Sequence, residues 1–256
     1  MRYPMSYFSS LLSPRRVFAQ RTSLTVWQAI LTTIFLMSLL FIPVSLQVGQ
    51  MESYPLERVV SGIYEPLTTE VITHLQTGKL RDGELMVEEA SFPQVTFGDK
   101  APEETGVSYH FGKQQLKLVK DKIDVVTVPY QQLSQQDISS KEALSAAISN
   151  HWFTSNRFGV SLFLISSSCL ILGTNFIFLV LGASGILFLA SLTKWFDIKG
   201  FKQAYNLTLT CLGLPTLLAF GFGLTGQELP TIVMTQNILF VLAVVFVFFK
   251  TRFRDT

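Results

Sequence analysis

An acidic stretch in the middle of the chain holds the side chains that most readily suggest chemistry. Paired carboxylates can bind a cation or act as acid and base in catalysis. The intervals between these carboxylates match no calcium-loop spacing and define no coordination geometry, so we interpret them as the solvated surface of a folded domain. The carboxylates are Asp82, Glu84, Glu88, Glu89, Asp99, Glu103 and Glu104.

The other reactive side chains are scattered. His74, His110 and His151 fall in separate predicted elements and offer no paired metal-ligand spacing. Cys169 and Cys211 lie inside apolar runs, which argues against a disulfide framework or a cysteine zinc site. The sequence has no ATP-binding loop, zinc-protease helix motif or nucleophile elbow. We therefore expect a protein that is not an enzyme, with no catalytic residue, cofactor or metal.

Four apolar segments determine the predicted fold. None contains an Asp, Glu, Lys, Arg or His, and each is long enough for a helix that crosses a hydrocarbon core of about 30 Å. Pumps and proton-coupled carriers usually place ionisable residues in their spans, and these spans have none. The sequence predicts a multi-pass α-helical membrane protein, with spans at 24–46, 158–192, 204–224 and 231–249.

The charges predict the orientation of the spans. The net charge is +2, and basic residues dominate 1–23, 193–203 and 250–256, whereas 47–157 carries most of the acids. By the positive-inside rule, both termini and the 193–203 loop are cytoplasmic, and 47–157 is extracellular. We expect a cell-membrane protein whose first span remains attached as a signal anchor. Its expected surroundings are the lipid bilayer and not nucleic acid.

Two segments of the sequence each allow two structural interpretations. The 158–192 run is too long for one upright helix, so it is either one long tilted helix or a hairpin that turns at residues 173–175. A hairpin would give five spans and place later basic residues outside, so the charges favour four. The 1–23 segment is predicted to be an amphipathic stretch at the inner headgroup layer, the alternative being a disordered tail.

The 47–157 region has the pattern of a small α+β domain. Leu67, Val71 and Leu75 recur at helical spacing between Pro66 and Gly78. Apolar residues alternate over 107–111 and 116–118, and 123–128 is β-branched, which together predict a small antiparallel sheet. A capping-box pair, Ser139 and Glu142, then predicts a helix leading into the second span.

Within the spans, polar and helix-bending residues are the candidates for helix packing or partner contacts. Proline removes a backbone hydrogen bond, and small or amide residues allow helices to approach and bond closely. The less favoured interpretation is that these residues line a path for a transported substrate. The candidates are Asn175, Asn206, Pro215, Gln236 and Asn237, with Pro43 as a further kink and Gly182, Gly185, Gly213, Gly221 and Gly223 as close-approach positions.

Several local motifs resemble one bacterial family. They are Ser13-Pro14-Arg15, the end of the first span near Phe41-Ile42-Pro43, and the stretch from Phe201 through Lys202-Gln203-Ala204 to Leu214-Pro215-Thr216. With the order of spans and domain, they resemble the membrane family of unknown function that includes the maltodextrin (maltodextrose) utilisation protein MalA. The resemblance implies a link to maltodextrin uptake or its regulation, and it carries over no catalytic residue.

Two functional hypotheses follow. The first is a non-enzymatic accessory or sensory membrane protein that contacts a carbohydrate permease or another membrane protein. If its outer domain binds sugar, the candidate stacking residues are Tyr109, Phe111, Tyr130 and Trp152. The second is a small transport component, a carrier or lipid-handling protein that acts as a homo-oligomer. An enzyme acting on cell-envelope material ranks third.

Overall fold

The computed structural model describes residues 3–98, 106–193 and 195–255. The chain divides into two compact units. We call Met1–Gln50 with Ser161–Thr256 the helical unit, and Met51–Val160 the sheet unit.

The helices of the described residues include both short and very long ones. Short 3-10 turns accompany them at Gln20–Thr22, Leu56–Arg58 and Tyr130–Gln132. The α-helices are α1 Met5–Ser10, α2 Pro14–Ala19, α3 Val26–Gln50, α4 Thr69–Thr77, α5 Lys141–Ser191, α6 Phe201–Gly223 and α7 Leu229–Thr251.

Four of these helices, α3, α5, α6 and α7, are long and apolar enough to cross a membrane. Each coincides with one predicted apolar segment, except that α5 begins well before residue 158. α5 is continuous over 51 residues, so residues 173–175, where a hairpin turn was considered, are helical. At 1.5 Å per residue it is about 76 Å long, more than twice the thickness of a hydrocarbon core.

Large apolar side chains remain exposed along the long helices. Leu170, Phe178 and Phe249 each leave more than two thirds of their surface uncovered. A water-soluble protein rarely exposes apolar surface so extensively, whereas lipid solvates such side chains well. This surface agrees with helices that lie in a bilayer.

The N-terminal segment, residues 3–22, packs against other parts of the helical unit. Tyr7, Val17 and Phe18 are buried, while Arg15 and Arg16 are exposed, so the segment has one buried and one exposed side. Tyr7 Oη donates a hydrogen bond of 2.9 Å to the carbonyl of Leu209 in α6.

Two of the five predicted close-approach glycines have that role. A Cβ on Gly213 would lie 2.6 Å from both Tyr7 Oη and Leu11 Cδ2, and one on Gly223 would lie 2.9 Å from Pro43 Cβ. Gln47 Nε2 donates to the Gly223 carbonyl at the end of α6. Gly182, Gly185 and Gly221 have open space where a Cβ would stand.

A buried arginine joins three separate stretches of the helical unit. Arg21 Nε donates to the Asp197 carbonyl and Nη1 to the Phe18 carbonyl, each at 3.0 Å, and Nη2 pairs with the Asp255 carboxylate. The guanidinium also lies 3.9 Å from the centre of the Phe18 ring, which stacks on Phe253. The charge is therefore compensated where it is buried.

The sheet unit contains a two-stranded and a five-stranded sheet. β1 and β2 form a hairpin through Asp82-Gly83, both with positive φ, as two-residue hairpin turns require. In the larger sheet, β3 to β7 are in sequential order. The strands are β1 Lys79–Arg81, β2 Glu84–Met86, β3 Ala90–Phe92, β4 Val95–Phe97, β5 Val107–Phe111, β6 Gln115–Lys120 and β7 Ile123–Pro129.

The three strands predicted from the sequence, β5, β6 and β7, pair antiparallel as expected. β4 adds to β5 in parallel, so the five-stranded sheet is mixed. One predicted detail is wrong: Ser140 caps the first turn of α5, its Oγ accepting a bond of 3.1 Å from Ala143 N, while Ser139 Oγ bonds to the Gln136 carbonyl. Ser139 and Glu142 therefore form no capping box, although the helix that they predicted is present.

Candidate functional site

A polar groove of about 470 Å³ lies within the sheet unit. One wall is the irregular stretch that includes the 3-10 turn Leu56–Arg58, and the other is the first three turns of α5. Its volume is in the range of small-molecule sites. The lining residues are Ser53, Tyr54, Pro55, Glu57, Tyr64, Glu65, Lys141, Glu142, Ser145, Ala146, Ser149 and Asn150.

Hydrogen bonds hold the two walls together. Tyr64 Oη donates to the Ser145 carbonyl at 3.0 Å and lies 2.7 Å from Ser149 Oγ. Ser149 Oγ also accepts from the backbone N–H of Leu56 at 3.2 Å. Ile63, next to Tyr64, is fixed through its carbonyl, which accepts from Tyr109 Oη at 2.8 Å. The groove is therefore anchored to the core of the unit.

The groove has an acidic, hydrogen-bonding rim. The carboxylates of Glu57, Glu65 and Glu142 are exposed, and Asn150 adds an exposed amide. Burial raises the pKa of Tyr64 above its ordinary value of 10.0, the bond to Ser149 lowers it, and Glu57 raises it. The Tyr64 hydroxyl is therefore protonated at neutral pH, and it donates to the Ser145 carbonyl.

The lining of the groove offers ring surface and hydrogen-bonding groups. The lining residues include no histidine or cysteine, and among the described residues no group of three or more His, Cys, Asp or Glu could hold a metal ion. Tyr54 supplies ring surface, and the surrounding carboxylates, hydroxyls and amide supply hydrogen bonds. This combination fits an uncharged ligand rich in hydroxyl groups.

The four aromatic residues predicted to stack on a ligand lie in the core. Tyr109, Phe111 and Tyr130 are at most 2% exposed and Trp152 is 9% exposed. Phe111 stacks on Phe97 of the neighbouring strand with ring centres 4.6 Å apart. Their ring faces are covered by the protein, so the four do not form an open platform for a sugar.

The predicted acidic stretch also forms no described site. Asp82 is in the β1–β2 turn and Glu84 accepts a hydrogen bond from Gln114, while Asp99, Glu103 and Glu104 lie outside the described residues. The histidines are apart: His74 packs against Phe97, and His110 Nδ1 lies 2.9 Å from Thr96 Oγ1.

The predicted intramembrane residues make contacts between elements of the helical unit. Asn206 Nδ2 donates to the carbonyls of Arg21 and Leu24, at 3.1 and 3.0 Å. Gln236 Nε2 donates to Thr216 Oγ1 at 2.9 Å, which joins α7 to α6. Asn237 Nδ2 lies 3.4 Å from Asn175 Oδ1, which joins α7 to α5, and Pro215 lines an apolar cavity.

The groove residues were missed because their stretch has no periodicity. Tyr54, Glu57, Tyr64 and Glu65 come from turns, where neither helical nor strand spacing marks the exposed face. The available signal was the occurrence of aromatic and acidic residues together in a segment rich in turn-forming residues, 51–66.

The chain is similar to the maltodextrose utilization protein MalA of Streptococcus pneumoniae strain ATCC BAA-255 / R6. The two are 37% identical over 258 aligned residues, which cover 99% of this chain and 97% of the pneumococcal protein. No protein-family model and no solved structure matches the chain. The similarity confirms the resemblance drawn from the sequence.

Proposed function

The chain belongs to the family of the maltodextrose utilization protein MalA, and on that premise we propose that it is a non-enzymatic accessory or sensory membrane protein for maltodextrin uptake or its regulation. The observation that carries the proposal is the polar groove of the sheet unit. Its ring surface and hydrogen-bonding rim fit the hydroxyl groups and the apolar sugar faces of a maltodextrin.

The sequence and the long helices together support the proposed membrane placement. α3, α5, α6 and α7 are the proposed spans. Basic residues flank them at both chain ends and between α5 and α6, which supports a cytoplasmic location for those parts and an extracellular one for the sheet unit. In this arrangement the groove meets sugar outside the cell. A carbohydrate permease is the proposed partner of the helical unit.

Titration calorimetry of the full chain in mild detergent tests sugar binding. We expect a saturable heat of binding with maltohexaose and no heat of binding with sucrose at the same concentration. Tyr54→Ala removes a ring from the groove and is expected to weaken binding at least tenfold, and Glu57→Gln to weaken it less. The matched control, Glu88→Gln, alters an exposed carboxylate outside the groove and should leave binding unchanged.

The proposal has a clear point of failure. If the folded wild-type chain gives no saturable heat with maltohexaose, or if Tyr54→Ala binds it as tightly as the wild type does, the groove is not a maltodextrin site. Copurification tests the partner separately: a permease component should be recovered with the chain from detergent-solubilised membranes, above the amount recovered with an unrelated membrane protein.

A further inference from the structure

An apolar cavity of about 330 Å³ opens on the surface of the helical unit. The N-terminal segment contributes Leu11 and Val17 to it, α6 contributes Leu214 and Pro215, and α7 contributes Leu239 and Ala243. None of the described residues that line it is charged. Water is poorly held in such a space, because it needs two to four polar partners.

Cations lie at two edges of this cavity. Lys250 Nζ is 6.0 Å from the ring centre of Phe246, a lining residue of α7. Arg15 and Arg16 directly follow Pro14, which lines the cavity from α2. All three side chains are exposed, and none forms an ion pair with another described residue.

An apolar interior with basic residues at its edge selects an amphiphile that carries a negative charge. α6 and α7 are candidate membrane spans, so the molecules that surround them in a bilayer are lipids. We infer that the cavity holds one acyl chain of an anionic phospholipid, with the lipid phosphate beside Lys250. A lipid bound here contacts the N-terminal segment and both helices, and so fastens that segment to the helical unit.

Native mass spectrometry of the full chain tests this inference. The detergent-purified protein is titrated with phosphatidylglycerol or with phosphatidylcholine of identical acyl chains. We expect one phosphatidylglycerol to be retained in preference to phosphatidylcholine. Lys250→Gln should lower this preference about fivefold, the effect expected of one cation near a lipid headgroup. Lys202→Gln, an exposed lysine of α6 that does not line the cavity, is the matched control and should leave it unchanged.

A second variant tests whether the cavity holds an acyl chain. Ala243→Phe places a ring in the cavity and should reduce retention of both lipids. If the phenylalanine variant does not give a folded protein, Ala243→Leu is measured instead. Three results would overturn the inference: equal retention of both lipids by the wild type, full retention by the folded Ala243 variant, or an equal loss of preference in the two lysine variants.

Discussion

The polar groove of the sheet unit and the apolar cavity of the helical unit are similar in size and opposite in chemistry. Exposed carboxylates and hydroxyls line the groove, and uncharged, mostly aliphatic side chains line the cavity. In the helical unit, the amides of Asn206, Gln236 and Asn237 donate to other protein groups and not to an open surface. The groove and the cavity therefore each match the solvent expected around them, which is water for the groove and lipid for the cavity.

The two units also differ in what keeps them packed. The sheet unit relies on large buried rings, with Phe97, Tyr109 and Phe111 side by side on adjacent strands. The helical unit relies on side chains that lie close against the backbone at Gly213 and Gly223. Substitutions that act on one unit alone test which contacts stabilise each unit.

The largest effect is expected from Phe111→Ala. Removing a fully buried ring costs about 3–5 kcal/mol, because the stacked Phe97 and its neighbours cannot close the cavity. Hydrogen exchange of the full chain should show faster exchange within residues 51–160 and little change in α6 and α7. Met86→Ala, at a side chain that is 56% exposed, is the control. Equal acceleration in both units would mean that the ring cluster does not stabilise the sheet unit separately.

Gly213→Ala should have the next largest effect. Its new Cβ would stand 2.6 Å from Tyr7 Oη and Leu11 Cδ2, and relieving that overlap costs about 1–3 kcal/mol. Gly185→Ala is the matched substitution in a helix with open space, where alanine is expected to be neutral or stabilising by up to about 1 kcal/mol. Thermal melting in detergent compares the two. A melting temperature that is unchanged in Gly213→Ala would contradict the close-approach role.

At neutral pH the smallest effect comes from the buried tyrosine hydroxyls, whose contribution to stability changes only in alkali. Burial raises the pKa of Tyr64, Tyr109 and Tyr130 above their ordinary value of 10.0. Above pH 10 the unfolded chain releases these protons before the folded one does, so stability present at neutral pH is lost as the pH rises. Each tyrosine contributes a slope of about 1.4 kcal/mol per pH unit until its folded-state pKa is reached.

Tyr130→Phe isolates one of these contributions. The buried Tyr130 hydroxyl has no hydrogen-bond partner among the described residues, so its removal should cost little at pH 7. Above pH 10, the variant should lose stability less steeply than the wild type in denaturant titrations of the sheet unit. An identical slope would show that Tyr130 does not ionise on unfolding in this range.

The sequence predicted the helices well where they are long and apolar enough to cross a membrane. Runs without charged residues located α3, α6 and α7 to within a few residues. Hydropathy alone did not locate the start of α5, because residues 141–157 carry charged and polar side chains; the spacing of Ser139 and Glu142 predicted the helix that leads into this span. Strands β5 and β6 were found by alternation and β7 by its β-branched run, whereas β1 to β4 have three residues each, too few for a period of two to be visible.

The site was harder to predict than the fold. The alternation that identified Tyr109 and Phe111 as strand residues also puts them on one face, and the structure shows that this face is the core. Sequence alone did not show which face of the sheet is covered. The groove is assembled from turns and the first turns of α5, far apart in sequence, and no local pattern brings Tyr64 to Ser149.

The Arg21 contacts have a consequence for the order of folding. Residues 7, 18 and 21 contact Leu209, Phe253 and Asp255, each more than 200 residues later in the chain. Contacts this distant in sequence cannot form until the later part of the chain exists. Residues 7–21 are therefore synthesised well before their partners, and they can pack only after the intervening chain has been made.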